Sequence, residues 1–457
     1  MSDSKITRGE FITRTGAAAV TLPFISIDSA FAATERPNFV FILTDDQRYD
    51  AMSCAGHPFL NTPNIDRIAK EGALFRNAFV AIALCAPSRA CFLTGRYAHS
   101  HGIKDNKTQL SDDLPTWPKT LQKAGYDTAF IGKWHQDGQE GPRPGFNRWV
   151  SFKGQGEYID PMLNIDGVKQ KTPGYMTDLL TDYAVNWLKQ PREKPFCLYL
   201  CHKAVHGPFK PAERHSKLFE DAKITWPATA SEDLTGKPEW FIKRQQMRPG
   251  KMTDEDYAKF IRNYNRTIVG IDEGVGRVFS TLDQLGVADN TVIVFCGDNG
   301  FFQGEHGMTD KRAAYEESIR IPFVMRYPKL VKPGTTIEPM VLNIDLCPTM
   351  LDIAGEKLPE GVQGRSFKPL LSGKNKGWRE DWLYEYWHEE PFANPTIRGV
   401  RTEGWKYVEY PESNDSAELW DLKNDPHEMK NLINDASKAD VLADMKKRLE
   451  RLAKETK

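Results

Sequence analysis

The sequence predicts an α/β protein: a large, mostly parallel central sheet with helices on both faces, followed by a small α+β subdomain with an antiparallel sheet and a terminal helix. Three observations predict it. Short runs rich in Phe, Val and Ile, such as "NFVFILTDD", "PFCLYLCHKAVH", "NTVIVFCGDNG" and "IPFVMRYP", read as strands buried on both faces. Helical stretches separate them. From about residue 376 the character changes to short aromatic-rich runs, "WLYEYWHEE", "IRGVRTEGWKYVEY" and "AELWDLKNDP", and then to the amphipathic "VLADMKKRLERLAKE".

The elements follow in order. Residues 1–32 read as an export signal: Lys5, Arg8 and Arg14 precede the small apolar run "GAAAVTLPFISI", and "SAFAA" sets cleavage after Ala32. "TRGEFI" resembles a twin-arginine signal with Gly9 in place of the second arginine, so the export route stays open. A periplasmic or extracellular location follows, and no other segment is apolar enough to span a bilayer. Residues 33–375 form the main unit and 376–457 the subdomain. "NFVFILTDD" is the first strand; in "NTPNIDRIAKEG" Thr62 caps a helix, Pro63 opens it and Gly72 closes it. "TLQKAG" ends a helix before the strand "YDTAFIGKWH", and "VGRVFSTLDQLG" is the helix before "NTVIVFCGDNG". The chain of 457 residues has a net charge of −1, so no overall field recruits nucleic acid or a membrane surface. Seven cysteines, with no zinc-finger spacing, leave at least one unpaired or chemically altered, and Cys85 is the candidate.

Polar residues collect where the strands stop, the edge at which ligands sit in such sheets. Asp45 and Asp46 end the first strand, and Lys133 and His135 end "FIGKWH", their i, i+2 spacing putting both on one face. His206 follows "CLYLCHKAV", and Asp298 with Asn299 follows "VIVFCG". Asp45, Asp46, Asp298 and Asn299 offer only oxygen, which suits a hard divalent cation, calcium first and magnesium second. "HSH" at His99–His101 lacks further zinc ligands and reads as structural or substrate-contacting. Lys133, Lys311 and Arg89 add positive charge, and His135 and His206 can carry protons. A cation, three fixed positive side chains and two histidines suit a tetrahedral oxyanion ester, a sulfate or a phosphate.

"CAPSRACFLTGR" places Cys85 at a helix start, with Pro87 in the first turn and Arg89 four residues on, on the same face. The helix N-terminus favours an anion. A thiolate, however, is a soft ligand beside a hard cation site, and sulfur attack on a sulfate ester would leave a bound thiosulfate. The residue makes better sense with oxygen in place of sulfur.

This stretch resembles the signature of the type I, formylglycine-dependent sulfatases of the alkaline-phosphatase-like superfamily, Cys-x-Pro-Ser-Arg followed by Leu-Thr-Gly. The resemblance implies that Cys85 is oxidised to Cα-formylglycine by a maturation enzyme and hydrated to a gem-diol. One hydroxyl attacks sulfur and expels the alcohol; the other loses its proton and ejects sulfate. It further implies that Asp45, Asp46, Asp298 and Asn299, with modified Cys85, bind calcium. Arg89 and Lys133 hold the gem-diol and sulfate, His135 assists elimination, and His206 and Lys311 serve the leaving group. "GKWH", "GDNG" and "ELWDLKNDPHEMKNL" extend the likeness over the mature chain. "NRWVSFKGQGEYIDPMLNIDGVKQKTPGYMTDLLTDYAVNWL" and "DKRAAYEES" resemble the N-acetylglucosamine-6-sulfatase type, which implies a sulfated sugar or polysaccharide substrate. Three other readings remain open at this level: a phosphomonoester or phosphodiester hydrolase of the same superfamily, a non-catalytic sulfated-glycan-binding protein if Cys85 stays a thiol, and a cysteine hydrolase.

Overall fold

The computed structural model describes residues 36–246 and 252–457, so the expected export signal lies outside the described residues. A ten-stranded sheet forms the centre, in the spatial order Thr335–Ile337, Ala73–Phe75, Phe323–Arg326, Thr291–Gly297, Asn38–Thr44, Phe196–Cys201, Asp127–Gly132, Arg148–Ser151, Met162–Ile165 and Val168–Lys171. The middle five, from Thr291–Gly297 to Arg148–Ser151, are parallel. Strand alternation explains why both faces are apolar. Along Asn38–Thr44, Phe39, Phe41 and Leu43 enter one core, and Val40 and Ile42 enter the other. Helices Cys85–Thr94, Trp117–Lys123 and Leu346–Ala354 cover the first face; Pro63–Lys70, Met176–Leu188 and the long Asp254–Gln284 cover the second.

Several local expectations need adjusting. The strand Phe323–Arg326 runs antiparallel to its neighbour Thr291–Gly297. Thr62 precedes its helix as expected, but its side chain makes no capping bond; the hydroxyl donates to Asp66 at 3.0 Å and accepts from Ser53 N at 2.9 Å. The helix stops at Lys70 and Gly72 lies two residues on, where a Cβ would meet the Met325 carbonyl at 2.1 Å. Its size, not a cap, requires the glycine.

The expected antiparallel sheet is present as Asp381–Tyr386, Ile397–Thr402, Trp405–Glu409 and Glu418–Asp421, with Ala439–Glu455 as the terminal helix. It shares the first core rather than forming its own: Phe79 packs on Trp382 with ring centroids 5.2 Å apart. A buried ionic seam reinforces the junction. Glu316 accepts from Arg401 Nε and Nη2, each at 3.0 Å, and from Lys406 at 3.2 Å. Burial opposes ionisation of Glu316, but Arg401 and Lys406 hold its carboxyl well below the usual range. Neutralising Glu316 leaves buried Arg401 without its carboxylate and Lys406 with Glu428 alone, so Glu316→Gln is expected to cost about 3 kcal/mol, read as a lower unfolding midpoint in denaturant. An unchanged midpoint would show that the seam contributes nothing.

Candidate active site

Every strand that feeds the site does so at its carboxyl end. Asp45 and Asp46 follow Thr44, Lys133 follows Gly132, Lys203 and His206 follow Cys201, and Asp298 and Asn299 follow Gly297. Helix Cys85–Thr94 brings Cys85 and Arg89 from the first face, ending at Gly95 in the left-handed region. All of the residues singled out from the sequence meet here except the "HSH" pair. Those two serve structure: His99 bonds Glu385 at 2.7 Å and the Thr456 carbonyl at 2.6 Å, while His101 contacts Cys91 Sγ at 3.4 Å.

Lys133 and His135 reach the site by a route that strand periodicity does not describe. The strand ends at Gly132, which has φ 121° and packs so closely on the Cys201 carbonyl that a Cβ would lie 1.7 Å from it. The chain then turns, with His135 at φ 57°. The two side chains are joined by Gln155, whose Oε1 accepts from Lys133 Nζ at 2.5 Å and whose Nε2 lies 3.2 Å from His135 Nε2. Burial and the Lys133 charge push His135 well below its usual value, so it is held as a neutral base.

Asp46 adopts φ 61°, fixed by Tyr264, whose hydroxyl donates to the Asp46 carbonyl at 2.8 Å. Carboxylate oxygens of Asp45, Asp46 and Asp298 come within 4.8 Å of one another. Asn299 spends its amide N–H groups on Asp46 Oδ1 at 2.7 Å and the Gly300 carbonyl at 2.8 Å. Its own Oδ1 is buried with no donor among the described residues. A buried amide oxygen without a donor, beside three carboxylates, fits a hard cation. The electrostatics agree. Burial and Asp45 push Asp298 up to about 7, a repulsion that a divalent cation would reverse. Asp45 ionises despite its burial because Lys133, His206, Arg89 and Lys311 hold it well below the usual range.

The cations are placed by these same carboxylates. Lys133 bonds Asp45 Oδ2, and Lys311 Nζ lies 2.5 and 2.6 Å from the two Asp46 oxygens. Arg89 donates from Nε to Asp298 at 2.9 Å and from Nη1 to the Lys133 carbonyl at 2.7 Å. Cys85 Sγ is 3.5 Å from Asp45 Oδ1, and burial pushes its thiol up to about 12, with Lys311 and Lys133 pulling the other way. The encoded side chain is therefore a neutral, poorly nucleophilic thiol. None of the seven cysteines forms a disulfide. His206 Nδ1 lies 2.8 Å from the Gly207 carbonyl, and Nε2 is 3.7 Å from Asp46 Oδ2. Burial pushes this ring down to about 4.

The helix N-terminus is less open to an anion than expected, because Asn106 accepts from Ala86 N at 3.0 Å. Two further side chains border the site without being singled out by the sequence. Gln155 lies in "KGQGE", which carries no local signal, whereas Lys203 stands three residues before His206 in "HKAVH". Lys203 is pushed down to about 8, by burial first and then by Lys133.

A cation-ready oxygen cluster, fixed positive groups and two histidines at the carboxyl edge of a parallel sheet define a hydrolase of anionic esters. Family comparison narrows the class. Residues 37–356 match the model described as Sulfatase, and residues 304–455 match N-sulphoglucosamine sulphohydrolase, C-terminal. The chain belongs to the sulfatase family and is a sulfuric ester hydrolase. It is 35% identical to N-acetylglucosamine-6-O-sulfatase of Bacteroides thetaiotaomicron, over 98% of this chain and 92% of the relative. It is 30% identical to human N-acetylglucosamine-6-sulfatase, over 88% of this chain and 82% of that one. Among solved structures, one described as a complex with its substrate D-glucosamine-2-N,6-O-disulfate superposes with TM-score 0.86 and 35% identity. The match covers 92% of this chain and 98% of that one. The fold class expected from the residues and the sulfatase activity implied by the resemblance are thus borne out, and the family implies a metal ion and a formylglycine made from the signature cysteine.

Proposed function

We propose that the substrate is a glucosamine or N-acetylglucosamine unit bearing a 6-O-sulfate, within a sulfated glycan. The near full-length similarity to N-acetylglucosamine-6-O-sulfatase carries this reading, and the disulfated glucosamine in the structural relative supports it. Asp45, Asp46, Asp298 and Asn299, with residue 85, would hold the cation, calcium ahead of magnesium because the protein donors are all hard oxygens. When bound, that cation polarises the sulfate oxygens. Oxidised and hydrated, residue 85 supplies an oxygen nucleophile with a second hydroxyl to release sulfate.

The chain's own residues do the rest. Arg89 and Lys133, held by Asp298 and Asp45, orient residue 85 and the sulfate. His135, kept neutral, takes a proton when sulfate leaves. His206 delivers a proton to the leaving oxygen through Nε2 once the negative charge of the bound ester offsets the burial that otherwise keeps the ring neutral. Lys311 beside it offsets the charge that builds there. The proposed units are a catalytic region, 33–375, and an appended subdomain, 376–457. Export with cleavage after Ala32, and conversion of Cys85 by a maturation enzyme, complete the reading. Among the described residues, no helix is long and apolar enough to cross a membrane.

Sulfate release from a panel tests the substrate: N-acetylglucosamine-6-sulfate, glucosamine-2-N,6-O-disulfate, other positional isomers and intact sulfated polysaccharides. Release from 6-O-sulfated glucosamines is expected, and release from small aryl esters alone would defeat the proposal. The leaving-group role has its own signature. His206→Ala is expected to lower kcat about 10²- to 10³-fold on a sugar sulfate and far less on a nitrophenyl sulfate, whose phenolate leaves without a proton. Equal losses on both substrates would remove His206 from that role.

A further inference from the structure

Three buried cations of the site each have a carboxylate: Lys133 has Asp45, Lys311 has Asp46 and Arg89 has Asp298. Lys203 has none. It lies in the turn after Phe196–Cys201 and is only 2% exposed. Among the described residues its ammonium has neither a hydrogen-bond acceptor nor a carboxylate at ion-pair distance. What it has is the face of Tyr158, with Nζ 4.6 Å from the ring centroid. Tyr158 is itself pinned to the site wall: its hydroxyl donates to the His206 carbonyl at 2.7 Å, and its ring stacks on Tyr175. Asp45, Asp46, Lys133 and Cys85 all act on the Lys203 charge. A ring face does not repay the removal of an ammonium from water, so this charge is placed for a partner that arrives with the substrate.

We infer that Lys203 is a substrate-contacting residue whose ammonium binds a non-bridging oxygen of the sulfate ester. The inference rests on the sulfate-ester reading of the site. Lys133, Lys311 and Arg89 are already engaged by Asp45, Asp46 and Asp298, whereas the Lys203 ammonium is left to pair with an oxygen of the ester. When the S–O bond breaks, new charge gathers on the leaving oxygen, while the non-bridging oxygens carry nearly the same charge throughout. A cation on those oxygens therefore binds ground state and transition state alike, which sets KM and leaves kcat. His206 and Lys311, on the leaving oxygen, act in the opposite way.

The test uses the full-length mature enzyme, 4-nitrophenyl sulfate as substrate and inorganic sulfate as competing product. Losing one charged hydrogen bond in Lys203→Met is expected to raise both KM and the sulfate inhibition constant about 10-fold or more. Over the same comparison kcat should stay within about threefold. Lys203→Arg should recover most of the loss. The melting temperature of Lys203→Met should match or exceed that of the parent, because an unpaired buried charge is gone. Should the methionine variant not fold, Lys203→Gln takes its place. KM and sulfate inhibition within twofold of the parent would overturn the inference. A fall in kcat alone, or a loss of stability that arginine does not rescue, would do the same. A parent enzyme inhibited by phosphate and not by sulfate would instead remove sulfate as the anion. The Lys203 comparison, repeated with phosphate, would still decide whether this ammonium holds it.

Discussion

Replacing Cys85 with alanine is expected to lower kcat on any sulfate ester by at least about 10⁴-fold, because the reacting atom itself is lost. The surroundings should survive the change. Arg89, Lys133 and Lys311 are positioned by carboxylates and by the Lys133 carbonyl, and Cys85 contributes only its 3.5 Å approach to Asp45. Cys85→Ser is the more informative variant. Where serine is left unconverted, one hydroxyl can attack sulfur and expel the alcohol, but no second hydroxyl can lose a proton and eject sulfate. The expected result is one equivalent of alcohol per enzyme and a protein heavier by one SO₃ group, with turnover then halted. Alanine at this position with parental turnover would place the nucleophile elsewhere. The thiol, pushed up to about 12 by burial, is a poor candidate for direct attack.

Exhaustive chelation is the second large effect: activity should fall by at least about 10³-fold, in line with the loss of several kcal/mol of charge stabilisation. Stability should fall with it. A ligand at a hundred times its Kd stabilises the folded state by about 2.7 kcal/mol, so stripping the site should visibly lower the melting temperature. The Asn299 oxygen and the three crowded aspartates are the groups left uncompensated. Calcium should restore both activity and melting temperature at lower concentration than magnesium, because Asp45, Asp46, Asp298 and Asn299 form a many-oxygen set without histidine. Full activity and an unshifted melting temperature after dialysis against chelator would take the cation out of the scheme.

Much of this is legible in the sequence. Runs such as "NFVFILT" announce strands because each face of the sheet has its own core, and so Phe39 and Val40 are both apolar. Asp45, Asp298 and Cys85 were legible because strand ends and helix starts are read locally. What escaped depends on long-range geometry. The orientation of Phe323–Arg326 is set by its pairing with Thr291–Gly297, which no local pattern encodes. Strand alternation puts Lys133 and His135 on one face, yet the turn at Gly132 and the bridge through Gln155 bring them together. Lys203 reads as an ordinary surface lysine until the fold buries it, and Thr62 as a cap until Asp66 competes for its hydroxyl.

The junction at Phe79, Trp382 and Glu316 bears on how relatives of this enzyme can be recombined. Grafting the tail of one onto the body of another at residue 376 would cut through a continuous oily layer and split Glu316 from Arg401 and Lys406. A workable chimaera has to move both sides of that contact as a set.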